Sequence, residues 1–391
     1  MAKRVFVVVL DSFGVGQAPD AADFGDCGAN TLRSIAQNQN FHCPNLTRMG
    51  LFNLDGADAL LPDSAPIGAF ARLRECSRGK DTTIGHWEIA GVESTTPLPT
   101  YPNGFPPEII REFEHITGRG VLCNRPYSGT QVLRDYGEEH LRTGALIVYT
   151  SADSVFQVAA HESVVPVEQL YEYCRAARAM LTGKHGVGRV IARPFEGTCA
   201  EDFRRTARRH DFSLTPPAPT MLDVLSGAGL DVLAVGKIRD IFAGRGVTEH
   251  FPTSGNAEGE QTLLQLAQRD FHGLAFVNLV DFDMLYGHRR NIDGYARAAS
   301  AFDQTLGQLL PLLRADDLLM ITADHGCDPG FLRSTDHTRE YVPLLMCGES
   351  VRAGLNLGTI NGFGAVAATV CGWLGVSAEL QGENLLPRIL Q

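Results

Sequence analysis

The chain has 391 residues, of which 44% are hydrophobic and 20% charged, enough to bury a substantial core and long enough for two domains. These figures exclude a disordered chain and a small disulfide-stapled scaffold, and the lack of a fixed period excludes collagen-like, coiled-coil and solenoid architectures. With 34 Lys+Arg against 45 Asp+Glu the formal net charge is -11, which repels nucleic-acid backbones and anionic membranes, so neither is expected as a partner.

The nine cysteines are odd in number, scattered and never arranged as C-x-x-C, so no disulfide framework or zinc knuckle is expected and a reducing cytoplasm fits best. No apolar run approaches the ~18 residues of a membrane helix.

In chain order, the first element is VFVVVLD at 5–11, read as a buried strand. Its apolar run stops at Asp11 after six residues, short of the roughly 7–15 of a signal peptide. Next, GKDTTIGHWE at 79–88 sets two hydroxyls beside a lysine in a polar turn. A hydroxyl there can become a nucleophile if a metal activates it; the plain alternative is a helix start capped by threonine. Two proline clusters follow, PLPTYPNGFPP at 97–107 and PPAP at 216–219, and read as linkers. The segment 97–219 between them carries 14 basic and 14 acidic residues, so the whole net charge lies in the flanks. It also has its own strand, GALIVYTSAD at 144–153, and its own helix, VEQLYEYCRAARAML at 167–181. The expected organisation is a discontinuous core, 1–96 plus 220–391, with an inserted domain over 97–219. Beyond it come a helix at 221–229, strands at 231–237 and 274–283, a helix at 294–313, a strand at 317–326 and a helix at 364–375. Alternating strand and helix argues for an α/β fold built on a mainly parallel sheet flanked by helices.

Several of these strand runs end in metal-ligand types. Asp11 follows the first, Asp281 and Asp283 follow FVNLV with His288 beyond, and Asp324 with His325 follow LLMITA. Asp336 and His337 lie in the next loop. In open α/β sheets the carboxyl ends of strands converge on the ligand crevice, so remote residues can meet there. A single acid at a strand end is usually a helix cap or a solvated turn, but four such elements in one chain exceed the needs of one tetrahedral site. Carboxylate and imidazole together suit Mn, Zn or Fe, and a pair of metals suits phosphoryl transfer. The glycine pattern DSFGVGQAPD at 11–20 lacks the third glycine of a dinucleotide fingerprint.

The blocks DSFGVGQAPDA, GKDTTIGHWE, VYTSADS, VGRVIARPF, NLVDFDMLYGHRR, TADHG and TDHTREYVPLL, in this order along essentially the whole chain, resemble the bacterial phosphopentomutases of the alkaline phosphatase superfamily. The resemblance implies an alkaline-phosphatase-like α/β core with an inserted α/β cap domain and two divalent ions, expected to be Mn2+. By motif match Asp11, Asp324 and His325 would hold one metal, and Asp283, His288 and His337 the other. Thr82 would be the phosphorylated catalytic residue. Ser151 and Asp153 would meet the sugar, and Arg189, Arg205 and Lys237 its distal phosphate. The Arg-rich stretch 189–209, six arginines against three acids, suits phosphate recognition or, alternatively, a solvated basic face.

The implied activity interconverts ribose 1-phosphate and ribose 5-phosphate, and the 2-deoxyribose pair, through a phosphothreonine and a 1,5-bisphosphate, in nucleoside salvage and catabolism. Pentose phosphates are the expected partners, a sugar bisphosphate the expected activator, and no obligate protein partner is indicated. The rivals are a metal-dependent phosphomonoester hydrolase, a relative of the cofactor-independent phosphoglycerate mutases, and a non-catalytic sugar-phosphate binder.

Overall fold

The run RVFVVVL forms strand β1 (Arg4–Leu10), and every residue of it is buried. A strand apolar on both faces must be covered on both, which places it inside a sheet rather than at its edge. The computed structural model, which describes residues 3–151 and 153–391, puts β1 in the middle of an eight-stranded sheet. The other strands of that sheet are β2 (Ala69–Arg74) and, after six strands of the insert, β9 (Asp231–Val235), β10 (Glu249–Phe251), β11 (Gly273–Leu279), β12 (Asp317–Thr322), β13 (Val342–Cys347) and β14 (Leu355–Asn361). Their order is β10-β9-β11-β1-β12-β13-β2-β14. Seven strands run one way and β13 alone runs against them.

This order decides the site. Strands β11, β1 and β12 are direct neighbours, with Leu10 opposite Leu279 and Val9 opposite Thr322. The three segments that leave their carboxyl ends therefore emerge side by side, although the first is some 270 to 310 residues from the other two in the chain.

The chain divides into two units. One comprises the residues up to Pro97 together with Pro216–Gln391, the other Leu98–Thr215. The second boundary falls before the PPAP run rather than after it, because these prolines lead straight into Thr220, whose hydroxyl and backbone N–H both bond Asp223 in the capping box of the helix Met221–Gly227. The unit 98–215 carries a sheet of β3 (Val121–Pro126), β4 (Leu146–Thr150), β5 (Val155–His161), β6 (Arg189–Glu196) and β7 (Arg204–Arg205), with β8 (His210–Ser213) also pairing β6. It has its own apolar core, in which Phe105, Phe113 and Phe156 stack edge-on and pack with Leu170 and Cys174 of the helix Val167–Met180. No helix among the described residues is long and apolar enough to cross a membrane.

At the opposite end of the main sheet from the site, Arg4 is fully buried and makes a two-pronged ion pair with Asp317, at 2.9 and 2.5 Å, while donating to the carbonyls of Ala267 and Arg269. It ties the start of β1 to the start of β12 and to the end of the helix Asn256–Gln268. Removing one partner of such a pair leaves a buried charge uncompensated, which costs about 3–5 kcal/mol, whereas replacing both with apolar groups is close to neutral. Arg4→Met is therefore expected to destabilise the main unit by that amount, and Arg4→Met with Asp317→Leu to recover most of it. Urea unfolding followed by tryptophan fluorescence checks this, since Trp87 and Trp373 both lie in that unit.

Candidate metal centre

Asp11 follows β1 directly, and the backbone turns sharply after it, with Ser12 at φ 70. A non-glycine residue with positive φ is uncommon and persists where surrounding bonds hold it. Here the turn aims the Ser12 N–H at Asp324 Oδ1, 3.0 Å away, and its hydroxyl lies 3.1 Å from that of Tyr295. Asp324 and His325 follow β12. Asp283 does not lie on a strand, because β11 stops at Leu279 and the chain enters a short π-helical turn, Phe282–Gly287, with His288 at its end.

Two donor groups take shape, and His325 belongs to both. Asp11, Asp324 and His325 present ligand atoms within 4.8 Å of one another, all buried. Asp283 groups in the same way with His337 and His325. His288 Nε2 lies 3.3 Å from Asp283 Oδ2 and 3.1 Å from His337 Nε2. The ring orientations suit ligation. His325 Nδ1 lies 3.0 Å from the Gly326 carbonyl and His288 Nδ1 2.7 Å from that of Thr335, so each Nδ1–H is committed as a donor and each Nε2 is the atom turned to the cluster. Stacking of His337 between His325 and His288, with centroids 4.0 and 4.7 Å away, fixes the rings further.

Buried carboxylate oxygens normally have hydrogen-bond partners. Asp11 Oδ1, Asp283 Oδ1 and Asp324 Oδ2 have none, and all three belong to this cluster. Burial, with Asp324 and Asp283 close by, pushes Asp11 up to about 8. Burial lowers His325 to about 4, which keeps its imidazole neutral. For Asp283 burial acts upward, but the imidazoles of His337 and His288 outweigh it and hold the carboxyl well below its ordinary range. Three converging carboxylates, with imidazoles that pair with them in the absence of an ion, are the donor chemistry of a divalent cation, so the residues present fit metal ions.

Thr82 is the first residue of the helix Thr82–Ile89. The cap is not a threonine, as the plain reading of this block had it, but Asp81, whose carboxylate accepts from the N–H groups of Thr83 and Ile84. The Thr82 hydroxyl is thereby left for the cluster, 3.1 Å from His325 Nε2. Gly85 allows the helix to come this close, since a Cβ there would overlap the Asp324 carbonyl.

Several positioning residues escaped the sequence reading. His86, four residues after Thr82, is fully buried; its Nδ1 lies 2.8 Å from the Thr82 carbonyl and 3.0 Å from Asp324 Oδ2. Its N–H points at the carbonyl, which is why that carboxylate oxygen has no hydrogen bond. Asn278 donates to Asp11 Oδ2 at 2.9 Å and sits 3.3 Å from His86 Nε2. The signals were present: i, i+4 spacing for His86, and one amide in an otherwise apolar strand for Asn278. Glu340, also unremarked, accepts from the N–H groups of Gly16 and Thr31 and the hydroxyls of Thr31 and Thr338, clamping the loop after β1 to the loop carrying His337.

Two acids considered from sequence serve elsewhere. Asp281 exchanges hydrogen bonds with Asn256 at the start of the helix Asn256–Gln268, and Asp336 accepts from the His337 N–H and faces Lys80 at 3.6 Å. Lys237 follows β9 in the same unit, and its charge favours the ionised form of Asp11.

In the unit 98–215, Asp153 donates its N–H to Ser151 Oγ at 3.3 Å, and Ala152 between them lies outside the described residues. Arg189 is shared between Asp153 and Asp211, at 3.8 and 3.5 Å. Arg205 is exposed and reaches the Tyr149 hydroxyl at 3.4 Å. Of the remaining arginines of the stretch, half-buried Arg193 bonds Gln157, while Arg204, Arg208 and Arg209 pair with Glu196, Glu162 and Asp211 as a solvated face would.

The model of the Metalloenzyme superfamily matches residues 3–378. A phosphopentomutase of Lachnoclostridium phytofermentans is 56% identical over 390 residues, covering all of both chains. One of Acetivibrio thermocellus is 54% identical over 99% of this chain and all of its own. This chain belongs to the phosphopentomutase family. Among solved structures, the PH0037 protein of Pyrococcus horikoshii shares the fold, with a TM-score of 0.51 and 14% identity over 98% of this chain and 99% of its own. Family membership makes the protein an isomerase acting on a pentose phosphate, on a mixed α/β core, and a binder of divalent metal ions.

Proposed function

We propose that the enzyme interconverts ribose 1-phosphate and ribose 5-phosphate, and the 2-deoxyribose pair, through phosphorylated Thr82 and a 1,5-bisphosphate. The observation that carries this reading is the Thr82 hydroxyl, freed from capping by Asp81 and 3.1 Å from His325 Nε2. Two divalent ions, Mn2+ in this reading, held by Asp11, Asp324 and His325 and by Asp283, His288 and His337, would supply charge neutralisation and Lewis acidity.

The chain's own residues do the rest. A phosphoryl group on Thr82 sits at the start of an eight-residue helix, where the backbone dipole favours negative charge. Asn278 holds Asp11 in place, and His86 lies 3.0 Å from Asp324, so both carboxylates sit beside that helix. In the forward direction the bond from phosphorus to Thr82 Oγ1 breaks, a bond to the free sugar hydroxyl forms, and the proton of that hydroxyl ends on Thr82 Oγ1, directly or through solvent. The resulting bisphosphate returns its other phosphate to Thr82, which restores the enzyme. A sugar bisphosphate primes a chain that has lost its phosphate.

In this reading Ser151 and Asp153 of the inserted unit are sugar-binding residues, and Arg189 and Arg205 of that unit and Lys237 of the core are phosphate-binding residues that act through charge-assisted hydrogen bonds. Cytoplasmic nucleoside salvage and catabolism is the setting such substrates imply. The test is a phosphorus NMR assay of the Mn2+-loaded protein, primed with ribose 1,5-bisphosphate and supplied with ribose 5-phosphate. Ribose 1-phosphate with little inorganic phosphate is expected. Inorganic phosphate as the main product would make the protein a hydrolase, and binding without turnover would make it a sugar-phosphate binder.

A further inference from the structure

Cys327 is a free, buried thiol two residues after His325. Its Sγ, a carboxylate oxygen of Asp283 and a ring nitrogen of His288 all lie within 4.8 Å of one another. The thiol is pressed against the π-helical turn that carries those two residues, for a Cβ added at Gly287 would lie 2.9 Å from Sγ. Its own hydrogen bond, to the Asp336 carbonyl at 3.8 Å, is a weak one. Asp283 Oδ1 is buried and without a hydrogen-bond partner, so this carboxylate has coordination capacity to spare.

We propose that Cys327 is a latent soft ligand of the centre: a thiophilic divalent ion such as Co2+, Zn2+ or Cd2+ is held by Asp283, His288 and the Cys327 thiolate. Thiolate ligands favour these ions, whereas Mn2+ favours carboxylate and other oxygen donors. Three protein donors of mixed sulfur, nitrogen and oxygen type are sufficient for such an ion, with solvent completing the shell. On binding, the S–H bond breaks, the sulfur–metal bond forms and the proton leaves to solvent; no oxidant or reductant takes part. Asp283 and His288 are then engaged by the sulfur-containing set rather than with His337. The same protein thus discriminates between hard and soft ions by which donors it commits. The inference rests on the metal-centre reading above.

The probe is Co2+ added to the full-length, metal-stripped protein. A thiolate-to-cobalt charge-transfer band in the near ultraviolet is expected, lost in Cys327→Ser and in Cys327→Ala and kept in Cys371→Ser, which removes another buried thiol. In equilibrium dialysis Cys327→Ser should lower Cd2+ affinity on the order of 10- to 100-fold and Mn2+ affinity far less. Visible ligand-field absorption of bound Co2+ without the charge-transfer band would leave the metal centre standing and overturn the thiolate. A band that survives both Cys327 variants would assign it to another cysteine and overturn the proposal as well. Failure of the wild-type protein to bind Co2+ at all would instead remove the metal-centre reading and this inference with it.

Discussion

Thr82→Ala is expected to lower mutase turnover on the order of 10^4-fold or more, the scale of losing a nucleophile in a site that otherwise stays assembled. Two further results should accompany the loss. Protein treated with a sugar bisphosphate should gain the mass of one phosphate in the wild type and none in the variant. The fold should be almost unaffected, because the helix cap is Asp81 and the Thr82 side chain makes its hydrogen bond to His325 rather than to the backbone. Thr82→Ser keeps a hydroxyl at that place and should retain both the label and part of the rate. Equal phosphate incorporation in wild type and Thr82→Ala would move the nucleophile elsewhere.

Asp11→Asn should have opposite effects on stability and on metal binding. In the metal-free protein, burial and the nearby Asp324 and Asp283 raise the Asp11 carboxyl from 3.8 to about 8. A raised acid pKa means that the folded state binds more protons than the unfolded one between these values, so stability falls as pH rises from about 4 to about 8. At pH 7 that cost is at most ~4 kcal/mol, from 1.36 kcal/mol per pK unit. Asparagine carries no such charge, so metal-stripped Asp11→Asn should unfold at a higher temperature than the metal-stripped wild type, and the gap should widen as pH rises across that window. The same substitution removes a negative ligand and should cut Mn2+ affinity by at least tenfold. Thermal melts of the stripped proteins at pH 5 and 8, with Mn2+ titrations alongside, measure both. A variant less stable than the stripped wild type at pH 8 would show that Asp11 is held there by bonds to its charged form rather than strained by burial.

These expectations concern residues whose chemical types were legible in the sequence but whose arrangement was not. The apolar runs ending at Asp11 and Asp324 identified two strands that the structure reproduces within one or two residues at their starts, because a strand buried on both faces leaves a local apolar signature. The run ending at Asp283 identified β11 equally well but placed the acid wrongly, since the strand yields to a π-helical turn four residues earlier. Such a turn carries no periodic pattern of its own.

By itself, the sequence determined the α/β class, an inserted neutral segment bounded by proline runs, and a stock of carboxylates, imidazoles and a threonine suited to phosphoryl transfer. Only the tertiary structure decided that β11, β1 and β12 are neighbours, that Asp283 and His337 face the cluster while Asp281 and Asp336 hold backbone N–H groups, that Asp81 caps the helix and frees Thr82, and that His86, Asn278 and Cys327 belong beside the ligands. Burial on both faces of a strand is written in an apolar run a few residues long, so it can be read locally. Sheet order and the direction of a side chain leaving a turn depend on pairings between segments hundreds of residues apart, which no local pattern encodes.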